Sequence, residues 1–316
     1  MTSPRLALAE WLVSADNPLP ARVVVNRFWA MLFGRGIVKT AEDFGSQGEP
    51  PSHPKLLDWL ALEFITSGWD VKHLLKYIVT SSTYRQSSAA NAEQWRADPE
   101  NRLLGRQGRY RLPAEMIRDN ALAVSGLLER KPMVGHSRPY QPAGYYRHLN
   151  FPTRRYTADE GPAQYRRAVY MHWQRQFLHP MLKAFDAPSR EECTVQRPES
   201  NTPLAALVMM NDTTFVEAAR ALAITVLAAD GQDDRQRMEV TFRRVLSRDP
   251  GPEEMNTVLK FLADCRENYR QHPKEAAQLL RVGMQTVPPQ VDEIELASWT
   301  DLCRAMLNLN ETVTRN

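Results

Sequence analysis

At 316 residues, with 43% hydrophobic and 24% charged residues, the chain has the apolar content for a packed core and the length for one large domain or two. Its formal net charge of +3 is small for this length, which argues against a dedicated nucleic-acid binder or membrane-surface protein. Every apolar run falls short of the ~18 to 20 residues that span a bilayer, so no membrane span is expected.

Taken in chain order, Ser3-Pro4 opens a first helix reaching about residue 14, with Leu6, Leu8, Trp11 and Leu12 as its apolar side. Glu10 interrupts that stretch and no small-residue cleavage site follows. The N-terminus is therefore not read as a secretory signal, and the chain expressed alone is expected in the cytoplasm. A second helix is predicted over 20–33, with Gly34 as its stop and Arg27 placed to tie it to Asp43 or Glu49. The stretch 40–54 reads as loop. Helices at 54–66 and 70–81 follow, separated by Ser67-Gly68. Pro113 opens a helix over 114–128, in which Glu115, Arg118 and Asp119 are spaced for pairing along its own surface.

From 129 to about 164 no period holds. Loops of that length are uncommon unless functional or disordered, and the aromatic content argues against disorder. Further helices are predicted at 203–210, 212–229, 232–247, 252–269, 274–286 and 293–309. The fold class is mainly α, a multi-helix, bundle-like architecture. Two helical halves, 1–128 and 203–316, flank an irregular aromatic and Arg-rich segment at 129–202, the whole read as one integrated domain.

Chemistry concentrates in that segment. Between 138 and 197 there are nine Arg and one Lys against five acids, with ten of the chain's 27 aromatic residues. Rings present apolar faces and Arg presents fixed donor forks, a combination suited to an acidic or sulfated saccharide. The same composition also suits a segment held down by buried aromatics and Arg–carboxylate pairs. Tyr140, Trp173, Arg190, Arg197 and Asn201 are the candidate ligand-binding residues. Asp186 and Glu191 are the candidate catalytic proton carriers, each with an Arg nearby to set its pKa. The alternative is that Asp186 and Ser189 cap helices and Glu191 pairs with Arg197.

Cys193, Cys265 and Cys303 form neither C-x-x-C nor C-x-x-C-H, which leaves no sequence signal for zinc or covalent haem, and all three are read as packed thiols. His172 and His179 on one helix would stand ~10 Å apart along its axis, too far to share a metal, with Pro180 ending that helix. No metal site is expected, and no cofactor in this chain.

Several ordered blocks carry a family likeness. They include Pro4-Arg-Leu-Ala-Leu-Ala-Glu-Trp-Leu12, Ala21-Arg-Val-Val-Val-Asn-Arg-Phe-Trp29, Phe33-Gly-Arg-Gly-Ile-Val38 and Gly48-Glu-Pro-Pro-Ser-His-Pro54. Ser81-Ser-Thr-Tyr-Arg-Gln-Ser87, Arg111-Leu-Pro-Ala-Glu-Met-Ile-Arg-Asp119 and Tyr140-Gln-Pro-Ala-Gly144 continue the series. With the dense segment at 164–212 and the closing Leu307-Asn-Leu-Asn-Glu311, the chain resembles domain of unknown function 1553 over its whole length. That domain is the C-terminal module of planctomycete-type proteins that also carry a cytochrome-c-like domain.

The resemblance implies a periplasmic or cell-surface setting, haem c carried only by a linked or partner domain, involvement in polysaccharide degradation, and a chain that corresponds to the last module of a longer protein. Three functions are expected from it and from the residues. The first is a module supporting saccharide-directed redox or degradative activity alongside a c-type cytochrome partner. The second is a non-catalytic module that docks a haem-bearing domain. The third is a glycoside hydrolase using Asp186 and Glu191.

Overall fold

The computed structural model describes residues 3–315 apart from 133, 148–152, 176 and 229–232. Among the described residues the chain is mainly helical, with 54% of residues in helices and 3% in strands. The strands are two short pieces, Tyr110–Arg111 and Thr314–Arg315, which pair with each other. Contacts divide the chain into two compact units, residues 1–110 with 314–316, and residues 111–313. This boundary falls elsewhere than the composition-based division at 128, because the helix that begins at Ala114 packs within the second unit.

The first unit contains α1 (Pro4–Leu12), α2 (Leu19–Phe33), α3 (Pro54–Thr66), α4 (Val71–Thr80) and α5 (Ala92–Ala97). Gly34 closes α2 in the left-handed conformation with φ +80°, as a helix stop requires. Asp70 caps α4 by accepting the His73 N–H. Apolar residues of α2, α3 and α4, among them Val25, Trp29, Leu60, Phe64, Leu74 and Ile78, form one core. The residue that ties α2 to the following loop is Asn26, which bonds both the N–H and the C=O of Val38. Arg27 is exposed, and no ion pair joins it to Asp43 or Glu49 among the described residues. Buried backbone groups need a neutral partner that both donates and accepts, and an amide supplies that without the cost of burying a charge.

The second unit is built around α9 (Thr213–Leu227), which packs against α6 (Ala114–Ser125), α8 (Pro203–Asn211), α10 (Asp234–Leu246) and α13 (Glu293–Leu307). Further out lie α7 (Pro180–Ala184), α11 (Pro252–Gln271), α12 (Pro273–Leu280) and α14 (Asn310–Val313). Helix α9 is apolar nearly all round, the pattern of a core helix, and its alanines 218, 219, 221 and 223 are buried. Helix α6 ends at Gly126 (φ +83°) and α12 at Leu280, each short of its predicted end. Pro180, expected to end a helix, instead occupies the first turn of α7, where its missing N–H costs nothing.

Candidate functional site

The stretch between α6 and α8 has little regular structure, yet it is held by a dense set of polar anchors. Arg118, on the buried face of α6, donates to the carbonyls of Arg166 and Gln164, each at 2.7 Å. Its neighbour Asp119 accepts the Ala168 N–H at 2.7 Å. Burial pulls the Arg118 guanidinium below its ordinary pKa, opposed by the charges of Asp119 and Asp212. The charges on α6 that looked like intrahelical pairs therefore reach outward to fasten the irregular segment. Gln164, 1% exposed, extends the network by accepting the Tyr140 N–H and donating to the Asp159 carbonyl.

A second anchor lies on α9. Glu217 and Arg220 are both 0% exposed. The Glu217 carboxylate accepts from the Tyr140 hydroxyl at 2.9 Å, the Tyr165 hydroxyl at 3.0 Å, and the N–H groups of Met284 and Gln285 at 2.6 and 2.7 Å. Arg220 donates to the carbonyls of Leu280, Val282 and Gln285, closing the end of α12. Burial, and then the facing carboxylate, push both phenols up, Tyr165 to about 12. Gly283 has φ +87°, and a Cβ there would overlap the Glu217 carboxyl group.

The predicted site residues fall into separate settings. Tyr140 is a structural tether, with its hydroxyl on Glu217 and its carbonyl accepting the His179 Nε2–H at 2.6 Å. Trp173 and Arg190 come together: the Arg190 guanidinium lies 3.7 Å from the Trp173 ring centre, while the ring N–H donates to the Ser189 carbonyl. Arg190 is exposed and adopts φ +62°, a left-handed conformation costly to a residue with a side chain. Asp186 shares that conformation at φ +62°. Its carboxylate accepts the Ser200 N–H and hydroxyl at 2.7 to 2.8 Å, and Arg111 stands 3.8 Å away.

Glu191 and Asn201 are exposed, and no hydrogen bond or ion pair joins Glu191 to Asp186 among the described residues. The structural alternative fails in detail as well. Asp186 closes the loop between α7 and α8 rather than capping a helix, Ser189 accepts the Glu191 N–H in a turn, and Arg197 pairs with Glu115 at 2.7 Å instead of with Glu191. Cys265 and Cys303 are buried as expected, whereas Cys193 is exposed.

One pairing escaped sequence reasoning. His172 meets His136, with ring centres 4.9 Å apart, because the segments cross at a bridge between Ser137 and Met171. Residues this far apart in an aperiodic stretch give no spacing signal. None of the described residues from 171 to 179 is helical, so His179 is not a partner of His172 on a shared helix. It lies buried, its pKa lowered to about 4 by desolvation. No group of three or more His, Cys, Asp or Glu among the described residues is placed to hold a metal ion.

The fold and these anchors define a mainly α-helical protein in which the described residues of a long irregular segment are fastened to one of its units. The family model described as PSD1, protein of unknown function (DUF1553), matches residues 4–262, and the chain belongs to that family. No curated protein matches the chain. No solved structure matches it either. Among the described residues no helix is long and apolar enough to cross a membrane.

Proposed function

We propose that the chain is a saccharide-binding module for acidic or sulfated sugars, working within a periplasmic, cytochrome-c-linked protein that acts on polysaccharide. The observation that carries the reading is the pair Trp173 and Arg190. An exposed guanidinium held over a ring at 3.7 Å keeps its edge N–H groups free for an anion. An Arg forced into φ +62° points to function, since such strain persists only where its surroundings impose it. Binding is favoured over hydrolysis because Asp186 is already committed to Ser200, and Glu191 lies exposed without bonding to it. The cytochrome link and the periplasmic setting rest on the family resemblance of the sequence blocks.

The test is a thermal-shift series of the full chain against neutral, acidic and sulfated oligosaccharides, with Arg190→Gly and Arg190→Ala alongside. Glycine adopts this backbone conformation freely, so Arg190→Gly is expected to keep the stability within about 1 kcal/mol while losing the sugar response. A response to anionic sugars that survives in both variants would remove Arg190 from the site. The absence of any response would remove the reading.

A second reading, docking of a haem-bearing domain, is favoured by α1. This helix buries none of its residues and exposes Leu6, Leu8, Trp11 and Leu12. Co-purification of the chain with a c-type cytochrome domain, lost on Trp11→Ser with Leu8→Ser, is the expected result. Association that is unchanged by that double substitution would contradict it.

A further inference from the structure

The His136–His172 crossing gathers positive charge without an obvious structural use. The Ser137 N–H donates to the Tyr170 carbonyl and the His172 N–H to the Ser137 carbonyl, each at 2.7 Å, which fixes the two imidazoles side by side at 4.9 Å. Their ring planes are inclined by 48°, so their N–H groups do not lie in one plane. Gln174, two residues along the chain from His172, accepts from Arg154 Nη1 at 2.7 Å, bringing a guanidinium to the same segment.

Burial first, and then the neighbouring His136, Arg138 and Arg154, hold the His172 imidazole below its ordinary pKa. Asp159 also lies in this neighbourhood, its carboxylate accepting the Arg138 backbone N–H at 2.7 Å. Ser137, between His136 and Arg138, is 0% exposed, so the strand crossing beneath the cluster is fixed while His136 and Arg154 face solvent. The two guanidinium groups place positive charge beside a pair of imidazoles, which disfavours a proton on either ring. That effect is offset when an anion enters.

We infer that His136, Arg138, Arg154 and His172 form a subsite for a sulfate ester on the saccharide, and that its occupation draws a proton onto the imidazole pair. The inference rests on the saccharide-binding reading above and adds the substrate class and its pH control. A tetrahedral sulfate offers acceptor oxygens in several directions and suits donors set at an angle. A planar carboxylate is best served by a single coplanar guanidinium fork. Since protonation of an imidazole accompanies binding, affinity rises as pH falls through the imidazole range.

The experiment is calorimetric titration of the full chain at about pH 5.5 and about pH 8, at constant ionic strength. The ligands are a sulfated oligosaccharide, its desulfated counterpart and a uronic-acid oligosaccharide. The same titrations are run on the double variant His136→Gln, His172→Gln. The sulfated sugar is expected to bind about fivefold tighter at the lower pH, as a rise of about one unit in one imidazole pKa gives when titration at about pH 5.5 is incomplete. The double variant should bind the sulfated sugar more weakly than the wild type at both pH values and lose the pH gain. Equal affinity at both pH values, or a pH gain retained by the variant, would overturn the subsite while leaving the saccharide reading in place. An equal gain with the uronic-acid sugar would overturn the assignment to sulfate. No binding of any sugar at either pH would overturn both.

Discussion

Glu217 is the side chain on which the irregular segment and the turn after α12 converge. It is buried, yet each carboxylate oxygen is engaged, and its donors come from residues 140, 165, 284 and 285. Glu217→Ala takes the carboxylate from two phenols, strands the Gln285 N–H, and leaves Arg220 buried without the facing carboxylate. A loss of about 3 to 5 kcal/mol is expected in urea unfolding. A loss under about 1 kcal/mol would contradict the hub. His179 supplies a pH signature. Its folded-state pKa is about 4, against an unfolded value of about 6.5, so the neutral ring belongs to the native state. The unfolded chain takes up the proton first. The contribution is therefore complete above about pH 6.5 and is lost as pH falls towards 4, amounting to about 3 kcal/mol. Comparing wild type with His179→Gln across that window isolates the term from other titrating groups. Parallel stability curves for the two proteins would refute it.

At the scale of elements, α6 and α9 serve both as core helices and as anchor points for a segment that has almost no secondary structure of its own. Arg118→Met preserves much of the buried volume but removes the two donors to carbonyls 164 and 166. Hydrogen exchange should then quicken at Tyr165, Arg166 and Ala168 while α9 stays protected. Unchanged exchange there would show that the anchors do not hold the segment. This dual use explains what could be read in advance. Helix starts at Pro54 and Pro203 and the stop at Gly34 follow from local backbone chemistry, so they were legible. Helix α5 was not, because its six residues bury nothing and carry no apolar period. Glu115, Arg118 and Asp119 were legible as a cluster but not as anchors. Spacing along a helix shows which residues are neighbours, not which partners arrive from 46 to 82 residues away. One signal was available: Arg118 stands four residues from both Ala114 and Leu122 and so lies on the buried stripe, where a charge needs a partner. The same signal marks Glu217 and Arg220 within the apolar α9.

At the scale of the molecule, residues 111–313 contain one continuous hydrophobic cluster, from Ala114 on α6 to Leu307 on α13. A cluster complete within one unit satisfies the main requirement for independent folding. Residues 111–313 expressed alone are expected to give a single cooperative unfolding transition. A non-cooperative melt would contradict that. The concentration of Arg and aromatic residues in the segment was legible from composition, and Trp173 with Arg190 was legible as a pair of candidates. Their stacking, the His136–His172 crossing and the diversion of Tyr140 to Glu217 depend on chain crossings that composition does not encode.

The most direct measurement of the central claim is covalent footprinting of the full chain with and without a saturating sulfated oligosaccharide, read peptide by peptide by mass spectrometry. Protection at Trp173 and across residues 136–175 and 190, with Trp59 and Tyr77 of the first unit unaffected, is the predicted result. Protection confined to other surfaces, or none at saturation, would contradict the assignment of this segment as the saccharide-binding surface.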